Sequence, residues 1–294
     1  MIILEDEIFD KYCQAGAFAA SVIRKGAMEI RPGAPYLEVI EFIEDMASSG
    51  ESGLAFPLNI SLNEDAAHDT ASAGDERVFA PGDLVKLDLG VHFDGYIADT
   101  AITVDLGNNG LLVDASREAL SRAIDKVRPG ATVGELGFAI QSEIEGRGYR
   151  PIANLTGHGL GRFVVHRSPS IPNVAIQGGA VLEEGMVFAI EPFATTGSGH
   201  VSEKKRVEIF QQISQKPVRL ATARKVLEAV SGRQGLPFAK RWLPDNKPEI
   251  ALTTLIRSGV VHAYPVLSDV PGSLVSQHEH TVIVTEDHCV VTTA

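Results

Sequence analysis

Residues 84–104 read LVKLDLGVHFDGYIADTAITV. Two apolar runs, 84–93 and 96–104, flank Asp94-Gly95, and an Asp-Gly pair between such runs signals a two-residue hairpin turn. If that pair forms the turn, Phe93 faces Tyr96, Gly90 faces Asp99 and Asp88 faces Ala101. Strand side chains alternate with a period of two, so Asp88 and Asp99 project from one face as diagonal neighbours, about 7–8 Å apart at the backbone. Gly90 puts no side chain opposite Asp99. Two carboxylates arranged in this way can approach a cation together. The competing readings are two solvated strand residues or a salt bridge to Lys86, which shares the parity of Asp88. However, LVKLDLGV is too apolar for an ordinary surface strand, and a buried carboxylate without a counter-charge tends to protonate.

The surroundings of this hairpin recur further along the chain. IRPGAPYLEVIEFIED (30–45) resembles VRPGATVGELGFAIQSEIE (127–145), 97 residues later. PGDLVKLD (81–88) matches EGMVFAIE (184–191), which sets Glu191 over Asp88. DTAITV (99–104) matches EHTVIV (279–284), which sets Glu279 over Asp99. The pattern predicts two related α+β halves, each supplying one carboxylate from each of two strands. Helices are expected over 4–30, 36–46, 115–127 and 132–147, with Arg-Pro-Gly breakers between the members of each pair. Residues 54–62 read as a further strand. Asp88 and Asp99 are 11 residues apart, but Glu191 and Glu279 are 88 apart. Residues 203–270 therefore read as a mainly helical subdomain inserted in a single catalytic domain spanning 1–294, tolerable if its ends lie close together.

Composition narrows the class. The chain has 294 residues, 44% of them hydrophobic, with a net charge of −12 and two cysteines. The acidity argues against nucleic acid as a partner. No run of about 18 apolar residues predicts a membrane span. The acidic MIILEDEIFD lacks the form of an export signal, so a cytoplasmic protein is expected. Cys13 and Cys289 are too few for a disulfide framework or a zinc cluster.

Several histidines bear on the site. His158 stands in NLTGHGLGRF, where glycines allow close backbone approach, although a lone Gly-His-Gly is more often a packing feature. His166 follows in VVHRSPSIPN, and His68 lies in the polar NEDAAHDT. His278 and His280 flank Glu279. There is no HExxH, GxSxG, P-loop or dinucleotide fingerprint.

Taken together, FPLNISLNEDAAHDT (56–70), VKLDLGVHFDGYIADTAIT (85–103), NLTGHGLGRFVVHRSPSIPN (154–173), FAIEPFATTGSG (188–199) and QHEHTVIV (277–284) resemble the methionine aminopeptidases of the pita-bread metallopeptidase superfamily. The long insertion with LPFAKRWL is similar to the type II subfamily, and the lack of a long basic N-terminal extension to its archaeal members. The resemblance implies an α+β pita-bread fold: pseudo-two-fold halves, a central antiparallel sheet flanked by helices, and the inserted subdomain. It implies two divalent metal ions (Co, Mn, Fe or Zn), with Asp88 and Asp99 on one, His158 and Glu191 on the other, and Asp99 and Glu279 bridging. His68 and His166 would contact the substrate and its tetrahedral intermediate, Glu191 would shuttle a proton, and Phe56 and Pro57 would line the methionine pocket. His278 departs from the pattern, which leads one to expect an apolar aromatic before Glu279.

The implied activity is removal of the N-terminal methionine from peptides and nascent proteins by metal-activated hydroxide. The implied enzyme is a monomer with no nucleic-acid or membrane partner, compatible with transient ribosome contact. Two alternatives are an X-Pro dipeptidase or aminopeptidase of the same fold, which usually carries a separate N-terminal domain, and a catalytically inactive binding homologue, which would lose ligands.

Overall fold

The computed structural model describes residues 4–244 and 248–294; residues 1–3 of the acidic N-terminal stretch and 245–247 of the expected insertion lie outside them. The first half comprises α1 (Asp6–Glu29), α2 (Tyr36–Ala47), β1 (Ser52–Leu54), β2 (Asn59–Leu62), β3 (Asp65–Ala67), β4 (Leu84–Phe93) and β5 (Tyr96–Asp105). The second begins with α3 (Gly110–Ile124), α4 (Val133–Gly146), β6 (Arg150–Pro151), β7 (Thr156–Gly161), β8 (Val164–Pro172), β9 (Val187–Ile190) and β10 (Phe193–Thr195). Then follow β11 (Ser202–Gln212), α5 (Ala221–Val230), β12 (Phe238–Ala239), α6 (Glu249–Arg257), β13 (Val261–Ser268), β14 (Val275–Gln277), β15 (His280–Val284) and β16 (Cys289–Val291).

The helices follow from their apolar spacing. Tyr12, Ala15, Ala19, Val22 and Ile23 form the buried stripe of α1, and α4 starts on a capping box in which Thr132 and Glu135 bond each other's backbone N–H groups. The breakers between helices are equivalent. Gly33 and Gly130 adopt φ of +85° and +84°, and their N–H groups donate to the carbonyls of Phe79 and Leu182. Pro35 bridges Val78 as Thr132 bridges Val181. Each half has its own core, α1 and α2 on β2 and β4, α3 and α4 on β9 and β15. This is the pseudo-two-fold α+β architecture that the repeat predicts.

The sheets meet where the carboxylates lie. β4 is flanked by β5 and, along its other edge, by β1 and β2, while β16, β15, β9, β7 and β8 form a second sheet. β5 and β15 run side by side, joined largely through threonines. The Asp99 N–H donates to Thr281 Oγ1 at 2.8 Å, and that hydroxyl donates back to the Asp99 carbonyl at 2.8 Å. Thr100 Oγ1 donates to the Glu279 carbonyl at 2.9 Å, and Thr103 Oγ1 to that of Gln277 at 2.7 Å.

Two local expectations are amended. The strand expected over 54–62 is split into β1 and β2, both paired to β4; Pro57, which has no N–H to give a ladder, lies in the gap. Residues 203–270, expected to be mainly helical, contain the two helices α5 and α6, but their frame is a pair of long strands. β11 and β13 pair from Ser202–Ser268 to Gln212–Val261, so the segment returns to its starting point. The mostly exposed SEKKRV at the start of β11 has no apolar alternation to betray a strand.

Candidate metal centre

Asp88 and Asp99 leave adjacent strands in the register set by the turn: Asp88 pairs with Ala101, Gly90 with Asp99 and Phe93 with Tyr96. Asp94 and Gly95 occupy the turn at φ of +51° and +85°, as a primed hairpin turn requires. Ala101 also bridges Glu279, so Asp88, Ala101 and Glu279 form a row across three strands. The β9–β15 ladder, with Ile190 opposite His280, runs on to Glu191 and Glu279.

His158 arrives from β7 because its neighbours are glycines. A Cβ on Gly157 would lie 2.3 Å from the Ala189 carbonyl oxygen, and one on Gly159 2.3 Å from that of Ser168. Only bare backbone lets β7 lie so tightly between β9 and β8. His158 Nε2 is thereby held 3.7 Å from Asp99 Oδ2 and 3.6 Å from Glu191 Oε1. Asp99, His158 and Glu279 each present a ligand atom, all within 4.8 Å of one another.

Electrostatics turn this convergence into a chemical statement. Burial, partly offset by the Gln277 amide, pushes the Asp88 carboxyl up to about 7. Burial first, and then mutual repulsion, holds Asp99, Glu191 and Glu279 well above the usual carboxylate range. His158 is pulled down to about 3, mainly by burial. Lys86 is not the missing counter-charge: its Nζ donates to the carbonyls of Asn63 and Leu84 at 2.8 and 3.3 Å. Among the described residues, Asp88 Oδ1 and Asp99 Oδ1 are buried with no hydrogen-bond partner. Orphaned oxygens, four acids and one neutral imidazole form a hard, oxygen-rich donor set that fits divalent cations.

The cluster opens on a cavity of about 360 Å³. Phe56, Val165 and Phe193 provide apolar wall, and His68, His166 and Tyr264 also face it. Pro57, expected beside Phe56, is buried but is not on the cavity wall; its carbonyl accepts from Asn59 Nδ2 at 2.8 Å. The His166 ring lies edge-on to His158, with centroids 4.4 Å apart. His68 adopts φ +66°, a left-handed conformation that costs a non-glycine residue about 1–3 kcal/mol unless its surroundings enforce it. His278 turns away, its Nδ1 2.8 Å from Ser116 Oγ on α3, so the departure at this position leaves the cluster undisturbed. Ile209, Pro237 and Tyr264 of the 202–268 segment also reach the cavity. Sequence reasoning missed them, and nothing in the apolar pattern around them could have singled them out.

The model of metallopeptidase family M24 matches residues 10–286. Methionine aminopeptidase from Archaeoglobus fulgidus is 49% identical over 291 residues, covering 99% of this chain and 100% of the relative. That of Pyrococcus horikoshii is 46% identical and covers 97% of this chain and 99% of its own. The solved structure of methionine aminopeptidase from Thermotoga maritima superposes with a TM-score of 0.74 at 26% identity, covering 100% of this chain and 98% of its own.

Proposed function

The chain belongs to metallopeptidase family M24 and, within it, to the methionine aminopeptidases, and on that premise we propose how its residues remove an N-terminal methionine. The observation that carries the reading is the convergence of four carboxylates, Asp99 and Glu279 buried and Asp88 and Glu191 half-buried, and of His158 on one cavity. Asp88 and Asp99 would hold one divalent ion and His158 and Glu191 a second, with Asp99 and Glu279 shared between them. Co, Mn, Fe and Zn all suit this donor set. When bound, the ions supply Lewis-acid charge that polarises the scissile carbonyl and acidifies water.

The remaining roles belong to the chain. Phe56 and Val165 enclose the methionine side chain and keep water from it. The acidic floor receives the substrate's free α-amine, which restricts cleavage to the first peptide bond. Glu191 carries a proton from the attacking water to the leaving amine. Burial pulls His68 down to about 4, and desolvation lowers His166, so both are neutral near pH 7. His166 can donate its one N–H to the oxyanion that develops on the carbonyl, while His68, whose Nδ1–H is held by the Pro265 carbonyl, leaves Nε2 as an acceptor for the substrate. Cavity and cluster are complete within one chain, which supports a monomer acting on peptide and nascent-protein N-termini in the cytoplasm, with transient ribosome contact where nascent chains are met.

The test is hydrolysis of Met-Ala-Ser and Ala-Pro peptides in parallel, with Mn(II) or Co(II). Release of methionine from the first is expected. Preference for the proline peptide would replace this reading with an X-Pro peptidase, and no metal-dependent turnover of either with an inactive homologue.

A further inference from the structure

His68 sits at the start of a polar segment that three arginines grip from outside the cavity. Arg206, on β11, donates from Nε to Asp69 Oδ1 at 3.0 Å and from Nη2 to the Thr70 carbonyl at 2.9 Å and Asp75 Oδ2 at 3.1 Å. Arg77 closes the ring from the other side, donating from Nη1 to Asp69 Oδ2 at 2.6 Å and from Nη2 to Asp75 Oδ2 at 2.8 Å. Arg241 adds bonds to Thr70 Oγ1 at 2.9 Å and to the Ala71 carbonyl at 3.0 Å. The side chains of Asp69 and Asp75 are only 3% and 4% exposed, so these charge-assisted bonds form largely out of water, where they are strong. His68 itself, at φ +66°, meets the 202–268 segment: its Nδ1 lies 3.3 Å from the Pro265 carbonyl and its ring is edge-on to Tyr264, with centroids 5.3 Å apart.

We propose that Arg206 is a positioning residue, which with Arg77 clamps the Asp69 carboxylate and the Thr70 carbonyl and thereby fixes the backbone at His68 so that its imidazole faces the cavity. The 202–268 segment thus serves catalysis by holding His68 from both sides, with Arg206 behind its backbone and β13 against its ring. Among the described residues, the hydrogen bonds of Arg206 go to Asp69, Thr70 and Asp75 and none to the carboxylate cluster, so it acts on the reaction through His68. The proposal rests on the reading that His68 works at the substrate.

The experiment is a double-substitution cycle on the metal-loaded enzyme with a Met-Ala-Ser peptide, comparing R206M, R206K, H68A and H68A/R206M. In parallel, the His68 ring resonance is followed by NMR in histidine-labelled protein, assigned by its loss in H68A. A misplaced group loses rate steeply, so R206M is expected to lower kcat about tenfold with KM nearly unchanged. R206K, which keeps the charge but only part of the donor fork, recovers part of that loss. In the H68A background R206M costs nothing more, and the His68 resonance moves in R206M and returns towards its place in R206K. Equal losses in both backgrounds, or an unmoved resonance, would overturn the proposal. If H68A leaves turnover intact while R206M still moves the resonance, the fault lies with the role given to His68, and the catalytic part of the proposal falls with it.

Discussion

Gly90 lies directly opposite Asp99 in the β4–β5 ladder, and the ring of Phe56 fills the space a side chain there would occupy. A Cβ on Gly90 would stand 2.2 Å from Phe56 Cε1. One position therefore governs two walls of the site: it leaves Asp99 uncrowded and lets Phe56 close over the cavity.

Gly90→Ala forces the Phe56 ring to shift, and overpacking of this kind costs about 1–3 kcal/mol. A lowered Tm and a KM for methionyl peptides that rises more than kcat falls are the expected outcomes, read by calorimetry and steady-state kinetics. An unchanged KM would remove Phe56 from the methionine pocket.

The Asp88 carboxyl is pushed up to about 7 in the folded protein by burial, while an unfolded chain titrates near the ordinary value of about 4. Below about pH 4 both states hold the proton. Between about 4 and 7 the unfolded state gives it up and the folded state does not, so the stability contributed by this group is lost as pH rises. Asp88→Asn cannot ionise. In EDTA the variant should therefore gain on the parent across that window, by at least about 1 kcal/mol. Denaturation at a series of pH values reads this directly; a pH-independent difference between the two proteins would contradict the assigned burial. With divalent metal present the order reverses at neutral pH, because the parent keeps a ligand that the variant lacks.

Glu191→Gln keeps the shape and one oxygen of the side chain but removes the proton carrier. Loss of kcat by about 10²–10⁴ is expected, with metal content measured on the same sample. Near-normal turnover at full metal occupancy would exclude Glu191 as the shuttle.

Which of these residues the sequence discloses depends on how local their constraint is. Asp88 and Asp99 are legible because Asp94-Gly95 allows one tight turn and the turn then sets every pair in the ladder. Glu191 and Glu279 are legible because a repeated breaker, with Gly33 and Gly130 at the same φ, marks two equivalent halves. His158 has no such local rule. The contacts that require Gly157 and Gly159 are Ala189 and Ser168, distant in sequence, so resemblance to a family locates it and periodicity does not. Tyr264 and Arg206 belong to strands that pair with each other, and a strand that begins with an exposed charged run carries no alternation to read.

Five side chains are expected to hold two divalent ions at the floor of one cavity, and anomalous diffraction from crystals of the Mn(II)- or Co(II)-loaded protein locates those ions. Two peaks about 3.5–4 Å apart are expected, one between Asp88 and Asp99, the other against His158 and Glu191, with Asp99 and Glu279 touching both. Full loading with a single peak, or with peaks away from these five residues, would contradict this arrangement.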